Sequence, residues 1–279
     1  MESPTPDITT TAWLSSGVEC IISCGCNNYI GLVDEDTVLK YPNLPPSKPS
    51  GLDARGERIY TLLRKQQTDG LAIEGQIFEI LGQHPRFIGY KGMHTDGLLL
   101  EHAHNGSVSS YLEKNGLSLS TQNRLKWAMQ ATEGVIEMHK HGVLHCNIHT
   151  NNMLLDDNLD IKLCDFQGKV LNSDGTVRLD GLSCEDAKSS MPASDSNMAT
   201  PKTDLFALGS AIYFMMEGHP PFEDLDSWKD EEEIVEKSRL RQFPALKEAL
   251  VEEVVHKCWA GQYETAEEAE RDLKKIKLS

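Results

Sequence analysis

The sequence predicts an α+β chain in which a β-rich first third precedes a mainly helical remainder. Short β-branched or aromatic runs cluster at residues 18–22, 29–33 and 37–41, and apolar positions recur at helical spacing from residue 117 onward. Size and composition agree. At 279 residues, 39% apolar and 25% charged, the chain suits one large or two modest globular domains with a buried core.

Each element has a local reason. Residues 1–17 are polar and rich in Ser, Thr and Pro, which reads as a flexible N-terminal segment without a secretory leader. The first two strands are separated by Ser23-Cys24-Gly25-Cys26-Asn27-Asn28, and the second and third by the acidic turn Asp34-Glu35-Asp36. After the Pro-rich stretch 41–50, Leu71, Glu74, Ile77, Phe78 and Leu81 fall on one helical face, with Gly82 and Pro85 as stop signals. Residues 97–103 read as a further buried strand. Leu125, Ala128, Met129, Ala131, Thr132, Val135, Ile136 and Met138 line a long helix that delivers the chain to Val143-Leu144-His145. Residues 153–163 read as strand, acidic turn, strand, and helices are expected over 203–213, 224–240, 244–259 and 265–276.

Charge and cysteine usage exclude several function classes. A net charge of −16 disfavours electrostatic binding to nucleic acid or anionic membrane, and no apolar run approaches the ~20 residues of a membrane span. The acidic stretch 223–233 reads as a solvated helix entry before it reads as a dock for a basic partner. Seven cysteines with no leader point to reduced thiols and a cytoplasmic location. Cys20, Cys24 and Cys26 lie close together but lack a fourth ligand, so small-residue packing is preferred to a metal or redox site.

The chemistry concentrates in His145-Cys146-Asn147-Ile148-His149-Thr150-Asn151-Asn152 and, beyond a short hairpin, Leu163-Cys164-Asp165-Phe166-Gln167-Gly168. Asn152 and Asp165 flank that hairpin and offer two oxygens to one hard cation, as Mg²⁺ prefers. Set on the pattern H-R-D-L-x-x-x-N followed by D-F-G, the chain keeps the His, the Asn and the Asp-Phe. In these motifs it resembles the eukaryotic protein kinase superfamily, especially the short, motif-degenerate kinase-like proteins common in fungi.

That resemblance covers nearly the whole chain and implies a two-lobed protein-kinase-like fold over 18–279. Its small antiparallel β lobe with one helix spans about 18–101, and its larger, mainly helical lobe about 104–279. It implies ATP and Mg²⁺ as cofactors, with Asn152 and Asp165 as metal ligands. Lys40, in Thr37-Val38-Leu39-Lys40, takes the place of the V-A-I-K lysine, with Glu74 as its helix partner and Glu79 as the alternative acid. Gly25, Ile30, Val38 and Leu154 would line the nucleotide, Leu100 would be the gatekeeper, and the backbone from Glu101 to Ala103 would meet the adenine edge. His145 would be a packed structural residue, stacked with Phe78, Tyr90 and Phe166. Asp204, opening a D-x-x-x-x-G helix, would anchor the catalytic-loop backbone.

The departures carry equal weight. Only Gly25 remains of the glycine-rich loop, and Asn27 and Asn28, which tolerate left-handed backbone, would supply its turn. Cys146 replaces the loop arginine, so phosphorylation at Ser173, Thr176 or Ser183 has no local reader. Met191-Pro192-Ala193 keeps the proline of A-P-E but not the glutamate, and 258–263 contains no matching arginine. Asn147 occupies the position of the catalytic base. His149, in place of a phosphate-contacting lysine, is a weak substitute for it. The expectation is an ATP/Mg²⁺-binding pseudokinase or weakly active kinase, impaired as an enzyme and acting as a regulatory or binding module for a protein partner the sequence does not name. Two alternatives stay open: an active serine/threonine protein kinase, since Lys40, Glu74, Asn152 and Asp165 survive, and a small-molecule phosphotransferase.

Overall fold

A computed structural model describes residues 12–183, 185–192 and 199–276, so Ala193 of the Met191-Pro192 remnant and most of the N-terminal segment lie outside the described residues. The chain divides into two compact units, one of residues up to 79 with 89–102, the other of residues 80–88 with 103 onward. The short stretch 80–88, expected in the small lobe, groups with the large one.

The small lobe is an antiparallel sheet of order β1-β2-β3-β5-β4 with one long helix. Strands β1 (Cys20–Cys24), β2 (Asn28–Asp34) and β3 (Thr37–Pro42) form where the β-branched runs predict them. Strand β5 (Gly97–Glu101) pairs with β3, and β4 (Tyr90–His94) completes the edge. The sequence reading lacked β4 because Tyr-Lys-Gly-Met-His has neither an apolar run nor clean alternation. Helix α1 (Ala54–Leu81) begins nearly five turns earlier than the apolar stripe from Leu71. Its first half is rich in Arg, Lys and Gln, good helix formers with little apolar periodicity. The Asp53 carboxylate accepts the Gly56 N–H at 2.7 Å and starts the helix, while the Tyr60 hydroxyl ties it to Ser47 O at 3.2 Å.

The turn after β1 closes by Gly25 N–H donating to Asn28 O at 2.9 Å. The expected left-handed asparagines are absent: neither Asn27 nor Asn28 has positive φ, and Asn28 already belongs to β2.

The large lobe is built around α4 (Pro201–Glu217), every residue of which from Thr203 onward is buried. A Thr200–Thr203 capping box and Pro201 start the helix, and left-handed Gly218 ends it. Helices α2 (Val108–Asn115) and α3 (Thr121–Lys140) precede it in sequence. Between α3 and α4 run β6 (Val143–Leu144), the hairpin β7 (Met153–Leu155) and β8 (Ile161–Leu163), and then β9 (Lys169–Leu171) and β10 (Val177–Asp180). Strands β6, β9 and β10 form a small sheet that the sequence reading did not contain. The last helices, α5 (Glu231–Arg239), α6 (Ala249–Trp259) and α7 (Ala266–Leu273), are shorter than their periodic stretches. Ahead of α5, the Asp226 carboxylate accepts from Trp228 N and Lys229 N at 3.0 and 2.9 Å, a side-chain turn that competes with helix. No described helix is long and apolar enough to cross a membrane.

Candidate active site

In the small lobe, β3 carries Lys40 between Ile30 on β2 and Leu98 on β5. The Lys40 ammonium meets the Glu74 carboxylate of α1 at 2.7 Å, and the two residues are 6% and 0% exposed. Glu79 points to solvent, so the acid that Lys40 meets is Glu74. The adjacent Gly75 allows the approach. A Cβ there would lie 2.8 Å from the Met93 sulfur and 3.3 Å from Leu98, so a larger residue would require these two side chains to give way. Val38 and Leu100 are buried cross-strand neighbours. Glu101 is fastened on both sides, its N–H donating to Gly89 O at 2.7 Å and its carboxylate accepting Gly89 N–H at 2.9 Å. Phe78 and Tyr90 stack at 5.0 Å between centroids.

In the large lobe, the loop 145–152 is held from beneath by Asp204. This fully buried carboxylate accepts His145 N–H at 2.9 Å and Cys146 N–H at 3.0 Å, and His139 Nε2 lies 3.0 Å from it. Burial alone would raise its pKa, but the His139 contact and the His145 charge and backbone N–H hold it below the usual carboxylate range. These bonds explain how Cys146 sustains a left-handed φ of 59°, a conformation costing about 1–3 kcal/mol in a non-glycine residue. Burial, and then the charges of Asp204 and Glu185, push the Cys146 thiol far up, so it is a packing residue rather than a nucleophile.

His145 packs as expected, 1% exposed, with Nε2 3.0 Å from Cys164 O and its ring 5.5 Å from Phe166; burial lowers its pKa. Phe166 also meets Phe87 edge-on at 5.3 Å, a neighbour the sequence reading missed. Gly168 permits the close return of the chain, since a Cβ there would fall 1.9 Å from Leu144 O.

The β7–β8 hairpin brings Asn152 and Asp165 together. Met153 pairs with Leu163, and Cys164 N–H donates to Asn152 O at 3.0 Å, so the two residues sit at the hairpin's open end. Asn152 Nδ2 donates to Asn147 O at 3.0 Å, so Oδ1 is the atom that this residue could offer a cation. Leu154 lies on the same hairpin, half-buried. Two oxygen donors fit Mg²⁺, which keeps waters and borrows phosphate oxygens. Among the described residues no group of three or more His, Cys, Asp or Glu could hold a metal by itself. Cys20, Cys24 and Cys26 are exposed, so the expected packing role does not hold for them.

Asn147 is half-buried and carries a carboxamide where a base would stand. His149 is committed to the local fold, since its Nδ1 accepts Asn151 N–H at 3.1 Å and caps the turn 150–152. Burial lowers its pKa. With Nδ1 engaged, the neutral ring carries its proton on Nε2 and offers no free lone pair.

The chain after Asp165 is held by contacts that no motif announced. Lys169 on β9 pairs with Asp180 on β10 at 3.1 Å. Farther on, Ser210 Oγ donates to Lys188 O at 3.0 Å and accepts Trp259 Nε1–H at 3.0 Å. Neutral hydrogen bonds thus fasten the region where the glutamate–arginine pair is missing. A buried tryptophan must place its N–H somewhere, and that was the available signal.

Residues 60–270 match the family described as protein tyrosine and serine/threonine kinase. Among curated proteins, the chain is similar to serine/threonine-protein kinase PLK4 of Nematostella vectensis (28% identical, 45% of this chain and 13% of that protein). It is also similar to serine/threonine/tyrosine-protein kinase HT1 of Arabidopsis thaliana (23% identical, 58% and 42%). A third relative is serine/threonine-protein kinase SIK1 of Rattus norvegicus (29% identical, 58% and 21%). The matched part thus spans less than half the length of each relative.

Proposed function

The chain belongs to the protein tyrosine and serine/threonine kinase family, and on that premise we propose that it binds ATP with Mg²⁺, transfers phosphate poorly, and acts as a regulatory or binding module for a protein partner. The observation that carries this reading is Asn147, an amide at the base position of a loop whose backbone supports are intact. Lys40, held by Glu74, would engage the nucleotide's phosphates, and Asn152 and Asp165 would hold the cation. The cation's contribution is to screen phosphate charge. Asn147 can hydrogen-bond a substrate hydroxyl but cannot accept its proton near neutral pH. The loss of a general base costs 10²- to 10⁴-fold, about 3 to 5.5 kcal/mol of barrier. His149 does not restore it, because its Nδ1 is committed to the turn.

An active serine/threonine kinase is the second reading, favoured by the closed Lys40–Glu74 pair. Phosphoryl transfer depends chiefly on positioning and electrostatics, so a base can be dispensable. One experiment separates the two. ATP should raise the melting temperature in a Mg²⁺-dependent way, and Asp165→Asn should remove that dependence. On the same sample, Asn147→Asp should raise radiolabelled phosphate transfer to a peptide at least tenfold. Wild-type turnover of about 1–100 s⁻¹ would establish the second reading, and no thermal shift at millimolar ATP would overturn both.

A further inference from the structure

Helix α1 meets Lys40 through Glu74, near its C-terminal end, yet one stripe along its whole length is engaged by the chain that leads into it. Residues 57, 60, 64, 67, 71 and 74 recur every three or four positions and so share a face. Lys48 pairs with Glu57 at 3.2 Å, the Tyr60 hydroxyl donates to Pro45 O and Ser47 O, and the Arg64 guanidinium donates to Leu44 O. Gln67 uses both ends of its amide: Oε1 accepts Leu44 N–H at 3.3 Å, and Nε2 donates to Asn43 Oδ1 at 2.8 Å. The next polar contact on the stripe is Glu74 with Lys40. As the helix ascends from 57 to 74, its partners descend from 48 to 40, which makes a ladder.

The rungs are what hold the middle of the helix. Between residues 61 and 69 only Arg64 and Gln67 are not exposed, so polar contacts rather than apolar burial fasten this stretch. Arg64 also lies over the Trp13 ring, 5.5 Å from its centroid, and Trp13 Nε1–H donates to Pro42 O at 3.0 Å. Asn43 extends the ladder to the turn after β1. Its backbone N–H donates to Asn27 O at 3.0 Å and its Nδ2 to Cys26 O at 2.8 Å.

In protein kinases the lysine–glutamate pair is a point of control, set by where its helix is placed. We propose that in this chain the ladder locks α1 in the paired position, so that Lys40 and Glu74 stay in contact without nucleotide or phosphorylation, with Arg64 and Gln67 as positioning residues. A helix tied at both ends and in the middle cannot swing about one end without breaking several rungs together. The device lies wholly in the small lobe and stands whether or not the ATP reading does.

The test is acetylation of the full chain by N-hydroxysuccinimidyl acetate, without nucleotide, with each lysine followed by peptide mass spectrometry. Lys40 should react about thirtyfold or more slowly than Lys247, whose side chain is 76% exposed, because it reacts only when α1 opens locally. Arg64→Met and Gln67→Met, both at half-buried positions, should each raise the Lys40 rate, and together raise it about tenfold. Leu62→Gln, on the exposed face, should leave it unchanged. Amide hydrogen exchange of β3 in the same samples separates a released helix from a generally unfolded lobe, since β3 is bonded to β2 and β5 and not to α1. It should match wild type in the variants. Weaker protection of Lys40 in the wild type, less than threefold acceleration in the double variant, or acceleration matched by faster exchange of β3 would each overturn the proposal.

Discussion

In the small lobe a buried ammonium, Lys40, meets the buried carboxylate of Glu74 at 2.7 Å. In the large lobe a buried carboxylate, Asp204, holds two backbone N–H groups of the catalytic loop at 2.9 and 3.0 Å, while the side chains on that loop have become Cys146, Asn147 and His149. The first region retains the groups of its family's chemistry together with their contact. The second keeps a main-chain scaffold, and the side chains it carries are a thiol, an amide and an imidazole. Backbone placement and reactivity are therefore separable. A loop anchored through main-chain hydrogen bonds is indifferent to what its side chains become, whereas an ion pair fails when either member changes.

The largest effect should come from removing the scaffold. Asp204→Ala strips the acceptor from His145 N, Cys146 N and His139 and leaves the left-handed Cys146 unsupported. It should cost about 3–5 kcal/mol of unfolding free energy, the range for breaking a buried charged network. Urea titration of the full chain measures it. A loss under about 1 kcal/mol would mean that the loop is held by something other than this carboxylate.

A somewhat smaller effect is expected in the small lobe. Lys40→Met leaves Glu74 buried beside an apolar chain, at about 3 kcal/mol, and Glu74→Gln strands the ammonium in turn. Residues in one contact do not contribute additively, so the double variant should lose clearly less than the sum of the singles. Additive losses would show that the 2.7 Å contact contributes little as a pair.

The two regions also differ in how legible they were in the sequence. Lys40, Glu74, Asn152 and Asp165 could be placed because local periodicity and motif spacing fix them: a strand's end, a helix face, the two sides of a hairpin. Asp204 could be placed for the same reason, at the first turn of an apolar helix. His139, Phe87 and the Trp259–Ser210–Lys188 chain could not, because each meets a partner far along the chain and none belongs to a periodic pattern. The first half of α1 was missed because its helix-forming residues carry no apolar stripe. The turn at Gly25 was misread because composition suggested left-handed asparagines where the chain closes by one ordinary backbone hydrogen bond.

The smallest predicted effect concerns a second buried carboxyl, and it sharpens the comparison with Glu74. Glu185 is part-exposed as a residue, but its Oε1 is fully buried. Burial, reinforced by the nearby Asp204 charge, pushes its pKa from 4.5 up to about 8, against a lowering hydrogen bond from Ser190. Between those two values the folded chain holds a proton that the unfolded chain has released. Stability contributed at this position is therefore present below about 4.5 and is lost as pH rises toward 8. Glu185→Gln keeps the shape and removes the titration, so its stability relative to wild type should be near its baseline at pH 5 and rise by about 1–3 kcal/mol by pH 8, below the ceiling of about 5 that the full displacement would give. Urea midpoints of both proteins at pH 5, 6.5 and 8 measure the difference, which also cancels the opposing contribution of His145 and His149, whose lowered pKa values make stability fall as pH drops below 6.5. A difference that stays flat across this range would place the Glu185 carboxyl in solvent and leave Glu74 and Asp204 as the buried acids that shape the site.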